Sequence, residues 1–273
     1  MNHPTLLYYN MHDEVAAFST TRKGGVSIGN YASFNINRFC GDADAAISEN
    51  RRLLCLLLQI DSKHLIMPHQ VHLTKTACID EAFFACSEKE KEELLEGVDA
   101  VVTNIPGVCI GVSTADCIPV LVYDSRLKVT AAIHAGWRGT AKHIVQQTIA
   151  DMKAIYGSTP KDMKAQIGPG ISLDSFEVGD EVYEAFANEG FDMQMISQKF
   201  LSTIHTTPLT YKWHINLTEC NRLQLIEAGI PSESISVADI CTMKQSDTFF
   251  SARRLGTPSG RIFTGIMIKP KQK

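Results

Sequence analysis

Three apolar runs, at residues 108–112, 118–123 and 129–133, follow one another in close succession, each rich in β-branched residues and bounded by polar residues or glycine. Runs this short and this apolar read as central strands of a buried sheet. Helical patterns lie around them. Apolar residues at three-to-four spacing mark 44–58, 140–156, 178–188 and 217–228, and Gly157, Gly190 and Gly229 supply natural C-terminal stops. Strands and helices do not alternate strictly, so the expected fold is α/β, a layered fold with a mixed β-sheet core covered by helices. No repeat, low-complexity tract or linker divides the chain, and residues 1–273 read as a single domain.

The formal net charge is -4 and no extended basic stretch is present, which argues against nucleic acid or an anionic membrane surface as partner. No cationic segment precedes an apolar run at the N-terminus, and no stretch is long and apolar enough to span a bilayer, so the expected location is the cytoplasm. The 8 cysteines are scattered without the spacing of a small secreted domain. In a reducing compartment most are expected to be buried thiols.

Metal-capable and reactive side chains concentrate in three segments, 67–72 (MPHQVH), 113–120 (STADCIPV) and 133–140 (IHAGWRGT), each at the edge of an expected strand. Strand ends are where a rigid scaffold aims side chains into one cleft. His72 lies in a stretch of period two, 70–79, which would turn it away from the core together with Thr74 and Thr76. Cys117 follows Asp116 at a turn entering a buried strand, and His134 ends a strand just before the turn Ala135-Gly136. Taken singly, His72 reads as a surface histidine, Cys117 as a buried thiol and His134 as a ring in need of a hydrogen-bond partner. Taken together, two imidazoles and one thiolate suit zinc and leave its fourth tetrahedral position open. The spacing is too long to be diagnostic by itself.

Anion-binding candidates are Arg22, in the segment Thr21-Arg22-Lys23-Gly24-Gly25, and Arg138, at a helix N-terminus beside Gly139 and Thr140. A plain glycine turn and a surface ion pair are the alternatives. Arg51, inside the helix that begins at Asp44, reads as structural or solvated.

These segments, in order, resemble the bacterial laccase-domain family, also labelled polyphenol oxidases and described as zinc-dependent purine nucleoside phosphorylases with adenosine deaminase activity. The resemblance rests on residues 18–27 (FSTTRKGGVS), the pair Asn50-Arg51, 69–72 (HQVH), 115–120 (ADCIPV), 134–139 (HAGWRG), 167–171 (IGPGI) and 250–254 (FSARR). It implies His72, Cys117 and His134 as ligands of zinc, with copper as the other candidate metal. Leu73, Gly170 and Ala252 stand where the family commonly has glycine, cysteine and tyrosine, which bears on substrate preference.

The implied substrates are purine nucleosides and phosphate: adenosine, inosine and methylthioadenosine for phosphorolysis, adenosine for deamination. Deamination needs an activated water and a proton-moving group, for which Asp116 and His69 are the candidates. Phosphorolysis needs a cationic cradle, for which Arg22 and Arg138 are the candidates. Other readings stay open: a copper-dependent polyphenol oxidase, a metal-free hydrolase in which His134 activates Cys117, and a binding protein without turnover. A monomer or small homo-oligomer is expected.

Overall fold

The computed structural model describes residues 3–202 and 210–270. The ends of the expected single-domain span, and 203–209 within it, lie outside the described residues. The expected α/β architecture is present, with its core built from two mixed sheets rather than one. A five-stranded sheet runs in the order Leu6–Tyr9, Val15–Thr20, Ile262–Ile268, Cys109–Thr114, Leu65–Ile66. A six-stranded sheet runs in the order Ile235–Val237, Met163–Ile167, Ile118–Asp124, Val129–Ala135, Ala100–Thr103, Thr76–Cys78. Glu177–Val178, Tyr211–Ile215 and Ser197–Leu201 form a third, small antiparallel sheet.

Why the central strands are apolar at successive positions follows from what covers them. Successive side chains point to opposite faces, so a strand covered on both faces needs apolar residues at odd and even positions alike. In Ile118–Asp124, the side chains of Ile118, Val120 and Val122 join Ile144, Ile149, Leu217 and Leu225 of the helices Ile144–Tyr156 and Leu217–Glu227. Leu121 and Tyr123 point the other way, into a core shared with Ile110, Val112 and Ile266 of the five-stranded sheet. The far face of that sheet, with Phe18, Cys109 and Phe263, packs on Leu54, Cys55 and Leu58 of the helix Asp44–Leu58. The result is four layers, helix, sheet, sheet, helix. Among the described residues no helix is long and apolar enough to cross a membrane.

Two local expectations change. The helix expected over 140–156 is two pieces, Trp137–Ala141 and Ile144–Tyr156, separated by His143 in a left-handed conformation (φ 59°). The strand expected over 70–79 is confined to Thr76–Cys78, and the residues before it form a bend in which His72 is left-handed (φ 64°). The second of these carries one of the residues of the candidate site.

Candidate metal centre

The antiparallel register pairs Ile118 with Ala135 and Pro119 with His134. This sets Cys117, one residue outside its strand, alongside Gly136 and next to the His134 ring. His72 arrives from the bend at 71–73. The donor atoms of His72, Cys117 and His134 all lie within 4.8 Å of one another, and the two imidazoles meet edge to face with ring centroids 4.8 Å apart. His72 is exposed, Cys117 half-buried and His134 buried. Gly136 makes the convergence sterically feasible: a Cβ at that position would lie 2.9 Å from Cδ2 of His72 and 3.2 Å from Sγ of Cys117.

A buried carboxylate absent from the sequence reading organises this cluster. Asp99, fully buried, accepts a hydrogen bond from Nδ1 of His134 at 2.7 Å. Its two oxygens also accept the backbone N–H groups of Val71 (3.2 Å), His72 (2.9 Å) and Leu73 (2.8 Å). Three convergent amides stabilise the charge and hold the bend, which explains why alternation in the sequence does not produce a strand there. With Nδ1 of His134 engaged, Nε2 is the nitrogen left to ligate. Burial works against ionisation of Asp99, but His134 and the amides of residues 71 and 73 hold its carboxyl below the usual range.

Burial alone would raise the Cys117 thiol. The charge and hydrogen bond of His134, joined by those of His72, more than offset this and bring the thiol down to about 6. His134 is opposed by burial as well, yet the neighbouring Cys117 and Asp99 lift its imidazole to about 9. Cys109, a buried thiol in the strand Cys109–Thr114, is pushed upward by burial. Two imidazoles and a thiol that ionises readily fit zinc, whose bonds to such donors run about 2.0–2.3 Å, and the same set suits copper.

The three donors line a cleft of about 550 Å³, together with Asn37, Phe39, His69, Gln70, Ser113, Asp116, Phe176, Ala252, Arg253 and Arg261. Asp116, left-handed at φ 85°, accepts a hydrogen bond from Oγ1 of Thr242 at 2.6 Å and another from the Arg253 amide at 2.6 Å. His69 contacts both oxygens of Glu96 through Nδ1 at 2.9 Å, and its ring stacks on Phe39. Both proton-moving candidates thus reach the cleft. Ala252, one of the departures from the family pattern, also lines it.

The two phosphate candidates do not line the cleft. Arg22 donates through Nε to the Ala32 carbonyl (2.8 Å) and through Nη1 to the Ser246 carbonyl (2.7 Å), with its guanidinium over Phe250. Arg138 is exposed and lies over Trp137 on a helix of only five residues. The arginines in the cleft wall are Arg253 and Arg261. Arg261 is tied to the carbonyls of Thr257, Ser259 and Gly260, whereas Arg253 has a 3.1 Å bond to the Glu177 carbonyl. The motif at 250–254 contained Arg253, but nothing in its spacing distinguished it from Arg254. Arg51, as expected, is structural: its guanidinium is largely buried and donates to the Leu65 carbonyl at 3.1 Å.

Known proteins resemble this chain over nearly its whole length. A purine nucleoside phosphorylase of Bacteroides thetaiotaomicron is 47% identical over 257 residues, 94% of this chain and 93% of that protein. Adenosine deaminase RL5, from an unknown prokaryotic organism, is 42% identical over 255 residues, 93% of this chain and 94% of that protein. Among solved structures, a hypothetical protein YfiH of Bacillus licheniformis matches with a TM-score of 0.86 at 28% identity, covering 98% of each chain. The family described as multi-copper polyphenol oxidoreductase laccase matches residues 16–269. By this match and by its relatives, the chain belongs to that laccase-like family.

Proposed function

We propose that this protein is a zinc-dependent purine nucleoside phosphorylase that also deaminates adenosine, with both reactions at the centre formed by His72, Cys117 and His134. Adenosine, inosine and methylthioadenosine are the nucleosides assigned to it, inorganic phosphate is the second substrate, and residues 1–273 act as one cytoplasmic domain, monomeric or in a small homo-oligomer. The observation that carries this reading is the convergence of two imidazoles and one thiol in a cleft of about 550 Å³, in a chain with close relatives named purine nucleoside phosphorylase and adenosine deaminase.

When bound, zinc would supply Lewis acidity at an open coordination position. The chain's own groups do the rest. Asp99 keeps His134 in one tautomer and fixes the bend that carries His72. Arg253 is the cation assigned to phosphate, in place of Arg22 and Arg138, because it lies in the cleft wall. Asp116 is assigned proton transfer: it adjoins Cys117 in that wall, and Thr242 and the Arg253 amide orient its oxygens. His69, tied to Glu96 and covered on one face by Phe39, is assigned to the rim. In phosphorolysis a phosphate oxygen bonds to the anomeric carbon as the carbon–nitrogen bond to the base breaks, and the departing base takes up a proton. In deamination water replaces the exocyclic amine, which leaves as ammonia.

Incubating metal-quantified protein with adenosine and inosine, with and without phosphate, and resolving the products tests the reading. Phosphate-dependent release of adenine and ribose 1-phosphate supports phosphorolysis, and inosine from adenosine alone supports deamination. A second reading, a copper polyphenol oxidase, draws on the family description and on a donor set that also suits copper. A strong visible charge-transfer band with phenol oxidation, and no base release, would favour it.

A further inference from the structure

Phe39 is the more exposed of the two phenylalanines in the cleft wall. It leaves 46% of its surface open although a ring of that size gains from burial. One face is occupied: the ring stacks on His69 with centroids 4.2 Å apart and planes inclined by 23°. The support beneath it is itself fixed, since Nδ1 of His69 contacts both oxygens of Glu96 at 2.9 Å. The backbone is fastened too, because Oδ1 of Asn37 accepts the Phe39 amide N–H at 2.6 Å while Nδ2 of Asn37 donates to Oγ of Ser113 at 2.5 Å. Phe176, the other phenylalanine of the cleft, lies beneath the Arg253 guanidinium at 5.6 Å.

An aromatic side chain braced on one face and through its backbone, in the same cleft as the three donors, is suited to stacking a flat heterocycle. We propose that Phe39 is the platform on which the nucleoside base stacks, and that His69 with Glu96 positions Phe39 rather than touching the base. The inference deepens the nucleoside reading above and rests on it for the choice of ligand. Two fused purine rings cover more of such a platform than one pyrimidine ring, so purines are expected to bind more tightly. Asn37, Gln70 and Ser113, a hydrogen-bonded wall beside it, meet the polar edge of the ligand.

The test uses the full-length, metal-quantified protein, with adenine as a probe that needs no turnover. Stacking of a base on an aromatic side chain is worth roughly 1–3 kcal/mol, so Phe39→Leu is expected to weaken adenine binding and raise KM for adenosine by about tenfold or more. KM for phosphate and zinc content stay at wild-type values. Phe39→Trp keeps the platform, and its indole fluorescence is quenched as adenine is added. Uracil binds more weakly than adenine to wild-type protein and loses less on Phe39→Leu. Adenine affinity and KM for adenosine within twofold of wild type in Phe39→Leu, or no adenine binding to wild-type protein, would overturn the platform. If adenine binds and Phe39→Leu weakens it while no base is released from any nucleoside, the phosphorylase reading fails and the platform stands. If phosphorolysis proceeds and Phe39→Leu changes neither quantity, the reverse holds.

Discussion

Asp99 and His134 are joined by a 2.7 Å hydrogen bond inside the sheet, and the same carboxylate accepts the amides of the bend that presents His72. One buried charge therefore sets the relative positions of two donors that are distant in sequence. Asp99→Asn replaces one accepting oxygen with a donor that faces backbone N–H groups. Loss of such a supporting partner commonly costs about 10–100-fold in metal affinity. Zinc competition against a chromophoric chelator is expected to show that loss, together with a lower Tm of the metal-free protein. Wild-type affinity would contradict the organising role.

Replacing His72, Cys117 or His134 by Ala is expected to remove bound metal and both nucleoside reactions together, by orders of magnitude in rate. Wild-type protein is expected to carry about one zinc per chain. Elemental analysis beside product chromatography reads both at once. Phosphate-dependent adenine release that survives His134→Ala while inosine formation disappears would require two separate sites.

The depressed Cys117 thiol makes a pH-dependent prediction for metal-free protein. A lowered thiol ionises above its midpoint, so alkylation by iodoacetamide should rise through about pH 6 and level off above it. His134→Ala removes the charge that opposes burial and should move the midpoint up. Cys109, pushed upward by burial, should stay unmodified in the folded protein. Peptide mass mapping across pH resolves the two thiols. A Cys117 midpoint at the ordinary thiol value, near ~8.5, would contradict the imidazole contacts.

Gly136→Ala isolates a steric effect. The backbone there (φ -68°, ψ 165°) is open to any residue, yet the added methyl would press on Cδ2 of His72 and Sγ of Cys117. Metal content should fall while the Tm of the metal-free protein changes little. Full zinc occupancy in Gly136→Ala would show that the three donors have slack.

Arg253→Ala is expected to raise KM for phosphate by about tenfold or more, the scale of a lost charge-assisted hydrogen bond, with adenosine deamination changed far less. Arg138→Ala, outside the cleft, should leave both reactions near wild type. The opposite pattern in steady-state kinetics would return the phosphate site to Arg138.

The buried strands were legible because nothing but a two-sided core accounts for apolar residues at successive positions: runs at 108–112, 118–123 and 129–133 emerge as Cys109–Thr114, Ile118–Asp124 and Val129–Ala135. Helix Asp44–Leu58 follows its periodicity, and Gly157 closes its helix left-handed at φ 74°. The division of the core into two sheets was not legible, since a strand covered by helix on one face and sheet on the other has the same pattern as one covered by helices on both. Cys117 and His134 stood out at strand ends. Asp99 did not, because a carboxylate in an apolar run signals burial without naming its partner, and three of its contacts are backbone amides that any sequence supplies. Arg253 and Phe39 escaped for a related reason: a side chain on a four-residue helix, Ala252–Leu255, and one on a turn reach the cleft through tertiary folding, which leaves no local period.

The left-handed bend at His72 divides the donor set by stiffness. His134 lies in a strand and Cys117 immediately precedes the neighbouring one, whose register is fixed by the layers on either side, whereas His72 is exposed and hangs from a turn secured by Asp99. For an ion held by this set, His72, as the exposed donor on the bend, would be the ligand expected to exchange first, and the buried His134 the last. Its residence time would then depend on the bend and on the Asp99 contacts that hold it, while the preference among metals would rest with the thiol and the buried imidazole.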